Sequence, residues 1–407
     1  MAVAAHVLEH AARDPDRVAL VGPEEEVTYA ELAERIKARD VRAAAGPAVI
    51  SVKDPVAALT QALAADLAGI TPLVCDERAA RLLADIPPAP LAEGGWACFT
   101  SGSTGRPRAV VRSRASWTDS FRHLDRLSGI GGDDVVLIPG PLVTSLYAFA
   151  AAHALGSGAT AIVPGRWSLE HLDAATAVHL VPHQLQQVLP KPAALRVALV
   201  GGAALDPAAR ERAQSGGLRV LSYYGSSELS FVAADADGTG MRAFPEVEIE
   251  VRAGEVWVRS PWLADGYLAG AAGPLRRDAA GWATVGDLAE PYLPGGVLRV
   301  RGRGDGAIQT GGATVVPEDV EAVLRRVPGV ADAVVVGAPH PDLGALVCAV
   351  VEGPVRRADL EAAARAGLDR VQRPRRWYAA DALPRTPTGK PARALIAETL
   401  TGFRRLV

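Results

Sequence analysis

The stretch CFTSGSTGRPRAVVRS, residues 98–113, sets small hydroxyl residues, glycines and arginines between two apolar runs. It reads as a strand, a turned polar loop and the start of a further element. Gly102 and Gly105 let the backbone turn tightly, so that neighbouring N–H groups can converge on one oxyanion. Ser101, Ser103 and Thr104 add hydroxyl donors, and Arg106, Arg108, Arg112 and Arg114 add positive charge. A Walker loop needs Lys-Ser/Thr after its last glycine, and here that place holds Arg106-Pro107, so this nest is of another kind. A solvated surface loop has the same composition, so the loop alone leaves both readings open.

Working outward, 407 residues exceed one ordinary core and call for two or more domains. A hydrophobic fraction of 49% with 22% charged residues is that of a globular chain. The net charge of −3 leaves no basic excess for neutralising nucleic-acid phosphates, so small molecules are the expected partners. Cys75, Cys98 and Cys348 have no paired spacing, which excludes a disulfide scaffold or a cysteine zinc site and fits a reducing compartment. His179 and His183 are four apart, but Pro182 lies between them and no Glu follows in a His-Glu-x-x-His pattern, so both read as structural. The most apolar stretch, 142–163, is broken by His153, Gly156 and Gly158, and no membrane span is expected. The start, MAVAAHVLEHAARDPDR, has no basic leader and reads as an amphipathic helix; a cytoplasmic location follows as the expectation.

Residues 1–93 alternate helical runs (AELAERIKARDVRAAA, DPVAALTQALAADLAG) with short apolar strands (PAVISV, TPLVC), the rhythm of a parallel sheet. The rhythm returns over 115–222 in DDVVLIP, ATAIVP, AVHLVP and LRVALVGG, which predicts a second doubly wound layer. LRVLSYYGSSELSFVA, 218–233, reads as a strand running into a polar turn, the kind of place where α/β proteins put ligands. Beyond 240, VEIEVRAGEVWVRS and GVLRVRGR predict short antiparallel strands of a small barrel-like subdomain. A small α+β piece follows, with VPEDVEAVLRRVPG and ADLEAAARAGL as helices and ADAVVVGAP and ALVCAVVEG as strands. The expected domains are therefore 1–304 and 305–407, divided in the glycine-rich stretch 301–309.

Five motifs in order, TSGSTGRPR (100–108), YGSSE (224–228), TVGDL (284–288), GRGDGAIQTGGATVVPEDVE (302–321) and PRTPTGK (384–390), resemble those of the adenylate-forming superfamily, which holds acyl- and aryl-CoA synthetases, nonribosomal adenylation domains and luciferases. The resemblance covers nearly all of the chain after residue 94. It implies ATP-dependent activation of a small carboxylic acid to an acyl-adenylate with loss of pyrophosphate, then transfer to a thiol. By the same resemblance, Thr100, Ser101, Gly102, Ser103, Thr104, Gly105 and Arg108 would hold the β- and γ-phosphates, with Arg108 where the family has lysine. Tyr224 would stack on adenine within Tyr224-Gly225-Ser226, Ser227 would bond phosphate, and Glu228 would hold Mg²⁺. Asp287 and Arg303 would take the ribose, Asp305 would lie at the hinge of a domain rotation, and Lys390 would serve the carboxylate and α-phosphate. One charge at 4 Å is worth roughly 4 kcal/mol at an effective dielectric of 20, which makes Lys390 the leading catalytic residue beside Glu228 and Ser227.

The acyl pocket implied by the resemblance lies along 138–155, at Gly201 and Gly202, and after Glu228. Ser145, Tyr147 and Phe149, with Phe231, suggest a mixed polar and aromatic wall suited to a small acyl or aryl acid. The segment 138–155 has no Asp or Glu, which disfavours an α-amino acid, and it has Val143 and Thr144 where Phe-His is common. The N-terminal subdomain reads as shortened. Gly311 and Gly312 match the segment that approaches pantetheine, and only seventeen residues follow Lys390, so the thiol is expected from CoA or from a freestanding phosphopantetheinyl carrier protein. Arg325, Arg326, Arg356, Arg357, Arg375 and Arg376 are candidates for the acceptor's phosphate or acidic surface. An acyl- or aryl-CoA synthetase is the leading reading, a carrier-loading ligase the alternative, and a non-catalytic acyl-adenylate-binding relative the reading from another class.

Overall fold

The computed structural model describes the chain except residues 42–45, 78, 81–90, 92–93, 101–107, 168, 170, 304–305, 311–312, 387–388 and 407, with backbone only at 303 and 313–314. Among the described residues no helix is long and apolar enough to cross a membrane.

Val/Ala/Leu-rich runs without polar alternation become buried parallel strands. Val197–Val200 lies between Ala177–Leu180 and Arg219–Ser226, all parallel, at the centre of a nine-stranded sheet. Val135–Leu137, Thr160–Ile162 and Val18–Val21 extend it in parallel on one side, ending at antiparallel Glu26–Thr28. On the other side, antiparallel Ser230–Asp235 and Arg242–Ala243 close it. A second sheet runs Gly266–Tyr267, Ala109–Ser113, Gly95–Phe99, Pro72–Val74, Ala48–Ile50.

The first 93 residues are thus divided between two sheets, where one parallel sheet was expected. Apolar runs mark strands but carry no information on their partners: Val18–Val21 finds its parallel neighbour at Thr160–Ile162, about 140 residues away, whereas Ala48–Ile50 and Pro72–Val74 pair with each other and then Gly95–Phe99. The third sheet is antiparallel and contains Glu248–Arg252, Glu255–Arg259, Arg276–Arg277, Ala283–Thr284, Asp287–Ala289 and Val300–Arg303. One large apolar cluster joins these three sheets.

The fourth sheet runs Ala313–Val315, Ile308–Thr310, Gly344–Glu352, Arg376–Ala380, Arg404–Arg405, with Asp332–His340 also paired to Gly344–Glu352. It has its own apolar clusters on its two faces. Helix Pro317–Leu324, with proline in its first turn and Glu318 and Asp319 behind it, packs on this sheet as the macrodipole favours. The α/β architecture is therefore a large body of three sheets followed by a small α+β unit.

Candidate active site

The loop residues Ser101, Gly102, Ser103, Thr104 and Gly105 lie outside the described residues, but the neck that carries them does not. Gly95–Phe99 and Ala109–Ser113 pair antiparallel up to Phe99 opposite Ala109. Beyond that rung, Thr100 N–H donates to Arg108 O at 2.8 Å and Arg108 N–H to Thr100 Oγ1 at 3.2 Å, closing the neck from both sides. The Arg108 guanidinium donates through Nε to Ala272 O at 2.8 Å.

YGSSE sits on a hairpin. Tyr223 to Ser226 still belong to strand Arg219–Ser226, so only residues 227–229 form the turn, tighter than the sequence suggested. A bulge falls between Tyr224 and Gly225, and a Cβ at Gly225 would lie 2.0 Å from Ser230 O, so only glycine fits there. Ser226 Oγ accepts from Leu229 N–H at 3.1 Å and Ser227 Oγ lies 2.6 Å from Ser145 Oγ. Glu228 is 4% exposed; its Oε1 accepts from the Tyr267 hydroxyl at 2.9 Å, and no described residue bonds its second carboxylate oxygen. Tyr267 reaches it because Gly266–Tyr267 pairs with Val110 and Val111, just beyond the neck. Burial and then the Glu228 charge push the Tyr267 phenol up, which keeps it a donor.

The Tyr224 hydroxyl donates to Asp287 Oδ2 at 2.7 Å, and Asp287 stands opposite Arg303 in the ladder of the third sheet. The structure therefore gathers the nucleotide candidates of YGSSE, TVGDL and GRGDG at one place.

Gly201 and Gly202 follow strand Val197–Val200. Gly202 has φ +86°, and a Cβ there would lie 2.8 Å from Lys390 Cε and 3.3 Å from its Nζ. Lys390 therefore enters the large body from the small unit. Its loop is tight, with Thr386 N–H donating to Lys390 O at 2.7 Å and Gly389 N–H to Thr386 O at 2.8 Å. Arg385 anchors it: Nη1 donates to Asp332 at 3.0 Å and to Gly389 O at 3.2 Å, and Nη2 to Glu352 at 3.1 Å. On the body side, the nearest atom to a Cβ at Gly389 would be Val181 Cγ2, at 3.2 Å.

Of the expected acyl wall, Tyr147 is fully buried, its ring filling the Cβ space of Gly140 and its hydroxyl donating to Gln184 Oε1 at 3.3 Å. Phe231 and Phe149 are also in the core, 5.1 Å apart edge to face. All three rings are buried, with Tyr147 0%, Phe231 6% and Phe149 7% exposed. Tyr223 stands in front of them, half-buried, 4.9 Å from Phe231, and its phenol occupies the Cβ space of Gly201.

Tyr223, Tyr267 and Arg385 contact the candidate site residues Gly201, Glu228 and the Lys390 loop, and none of the three is among the sequence candidates. Arg385 lies inside a quoted motif and Tyr223 immediately before one, and only the ladder shows that Tyr223 covers Gly201 across two strands. Asp305, Gly311 and Gly312 lie outside the described residues. Of the six candidate arginines, Arg325, Arg356 and Arg357 are paired within the small unit, with Glu321 and Asp332, Asp359, and Glu361 respectively. Arg326, Arg375 and Arg376 have no ion pair among the described residues. No group of three metal-ligating side chains occurs among the described residues.

Comparison with known proteins gives the following. The AMP-binding enzyme model matches residues 87–268 and the AMP-binding enzyme C-terminal domain matches 319–390. An uncharacterised acyl-CoA ligase of Bacillus subtilis is 31% identical over 333 residues, 74% of this chain and 68% of that protein. A probable 2-succinylbenzoate–CoA ligase of Mycobacterium tuberculosis is 30% identical over 332 residues, 74% of this chain and 84% of that protein. In fold, ATP-bound MatB from Rhodopseudomonas palustris superposes with a TM-score of 0.81 at 22% identity, covering 97% of this chain and 98% of that one. O-succinylbenzoate CoA synthetase from Bacillus subtilis, in complex with AMP, does so with 0.78 at 22%, covering 99% of each.

Proposed function

Because the chain belongs to the AMP-binding enzyme family of adenylate-forming acyl-CoA ligases, we propose that the site just described activates a small carboxylic acid with ATP and passes it to CoA. The observation that carries the assignment of roles is the seat of Lys390 against Gly202. A carboxylate oxygen attacks the α-phosphorus, the bond to pyrophosphate breaks, and a thiol sulfur then attacks the acyl carbon and expels AMP.

Both partners in the first step are anionic, so the barrier is largely electrostatic. Lys390 brings a positive charge to the junction of acid and α-phosphate. Arg108 brings another to the neck of the phosphate loop, where the leaving pyrophosphate would lie. The paired hydroxyls of Ser145 and Ser227 mark the point where acid and phosphate meet. Tyr224 and Asp287 present a ring face and a carboxylate to adenosine.

Mg²⁺ fits Glu228: it is a hard oxygen donor whose Oε1 is oriented by Tyr267, with its other oxygen bonded to no described residue. When bound, the ion would neutralise phosphate charge. The acceptor proposed is CoA, the acceptor in the names of the relatives; acylation of a carrier protein with no acyl-CoA formed would replace it.

Lys390→Ala is the direct test. Adenylation, read as acid-dependent ATP–pyrophosphate exchange, should fall by about a thousandfold, while thioester formation from supplied acyl-adenylate persists. Equal loss of both half-reactions would contradict this division of roles.

A further inference from the structure

We propose that Tyr223 selects the acid: its ring ends the acyl site and its hydroxyl donates to an oxygen on the substrate, so that the enzyme takes short acids carrying a hydroxyl, carbonyl or second carboxylate. The inference rests on the ligase reading above and names the substrate class of that site.

Continuing the register Val200 opposite Ser222 by one residue sets Tyr223 beside Gly201. The phenol leans across the strand. A Cβ at residue 201 would lie 2.2 Å from Tyr223 Cζ and 2.6 Å from its hydroxyl, while one at residue 202 would lie 3.3 Å from Lys390 Nζ. With adjacent Cα atoms about 3.8 Å apart, the hydroxyl and the ammonium are separated by roughly 13 Å at the outside. An acid with its carboxylate at Lys390 and an oxygen at Tyr223 therefore has a short carbon chain.

The ring cannot swing back. Phe231 abuts it edge to face, and Phe149 and Phe244 pack on Phe231 at 5.1 and 4.9 Å. A longer acyl chain meets this stack.

The hydroxyl is the part of the wall still to be satisfied. Tyr147 donates to Gln184, Tyr224 to Asp287 and Tyr267 to Glu228, whereas Tyr223 bonds none of the described residues and remains partly open. Burial pushes its phenol up, so it stays protonated and enters as a donor. If substrate binding shields this half-buried hydroxyl from water, an acid that offers it no acceptor leaves it unpaired and binds more weakly.

The test is pyrophosphate exchange by the full-length enzyme on matched acids: butanoate, 3-hydroxybutanoate, 3-oxobutanoate, butanedioate and octanoate. Wild type should prefer an oxygenated member over butanoate by tenfold or more and reject octanoate. Tyr223→Phe, with an unchanged melting curve, should lower kcat/KM for the oxygenated acid about tenfold more than for butanoate. Tyr223→Ala should admit octanoate. Equal change on both members of the pair, no change on either, or continued exclusion of octanoate by Tyr223→Ala each overturns the role of Tyr223. Absence of exchange by wild type with every acid would instead overturn the ligase reading on which it stands.

Discussion

The large body places its site residues with rings and missing Cβ atoms, whereas the small unit places Lys390 with charges. In the body, Gly140 makes room for Tyr147, Gly201 for Tyr223 and Gly225 for Ser230 O, and Phe231 holds Tyr223 edge to face. In the small unit, Arg385, Asp332, Arg325, Glu321, Arg393 and Glu318 form a continuous run of ion pairs, with Glu321 only 2% exposed. Shape fixes the positions of these rings. Paired buried charges add little net stability but leave one arrangement in which every charge is matched, which suits a loop that must present one ammonium in one place.

Arg385→Ala breaks the charged half and should have the largest effect on stability. It removes a cation from Asp332 and Glu352, both mostly buried, so the small unit should lose about 3 kcal/mol in urea unfolding. Pyrophosphate exchange should fall a hundredfold or more as the Lys390 loop loses its anchor. An unchanged exchange rate would show that the loop's own backbone bonds suffice.

The body also buries ionisable groups, and at His179 pH exposes one of them. His179 is 2% exposed, neither ring nitrogen has a partner among the described residues, and burial lowers its pKa to about 3. The unfolded chain takes up the proton near pH 6.5, so this contribution to stability is whole above that value. It declines by about 1.4 kcal/mol per unit as pH falls toward 3. His179→Leu should flatten that part of the stability profile in urea melts between about pH 7 and about pH 5. If wild type and variant lose stability in parallel, the proton is going elsewhere.

The smallest effect is expected where the two halves touch. Gly202→Ala would set a Cβ against Lys390 Cε at a left-handed φ, costing about 1 kcal/mol of stability and about tenfold in adenylation. Thioester formation from supplied adenylate should be nearly unaffected, and loss of both steps together would mean that the strain reaches the body as well.

Much of this was legible from residues alone. Runs such as LRVALV and AVHLVP read as buried strands, and the five motifs stand in family order. The partition of residues 1–93 between two sheets was not legible, because Val18–Val21 and Ala48–Ile50 are equally apolar and nothing local names their neighbours. Tyr223 and Tyr267 were hidden for a related reason. Each acts on a residue far along the chain or on another strand, Gly201 and Glu228, and only the ladders bring them together. Arg385 lay inside a quoted motif, yet its partners Asp332 and Glu352 are about fifty and thirty residues away. The burial of Tyr147 was not legible either, because helix Ser145–Gly156 is apolar all round and its sequence does not say which face packs where.

The missing carbon at residue 202 makes that position a socket rather than a side chain. The body owns the hole, and the small unit owns what fills it. Under the role proposed for Lys390, separating the two bodies would withdraw a full positive charge from the acid's side of the site while every contact inside the body stayed as it was. On that proposal, the rate of the first chemical step would follow the distance between two folded units, with no need for either to change its own shape.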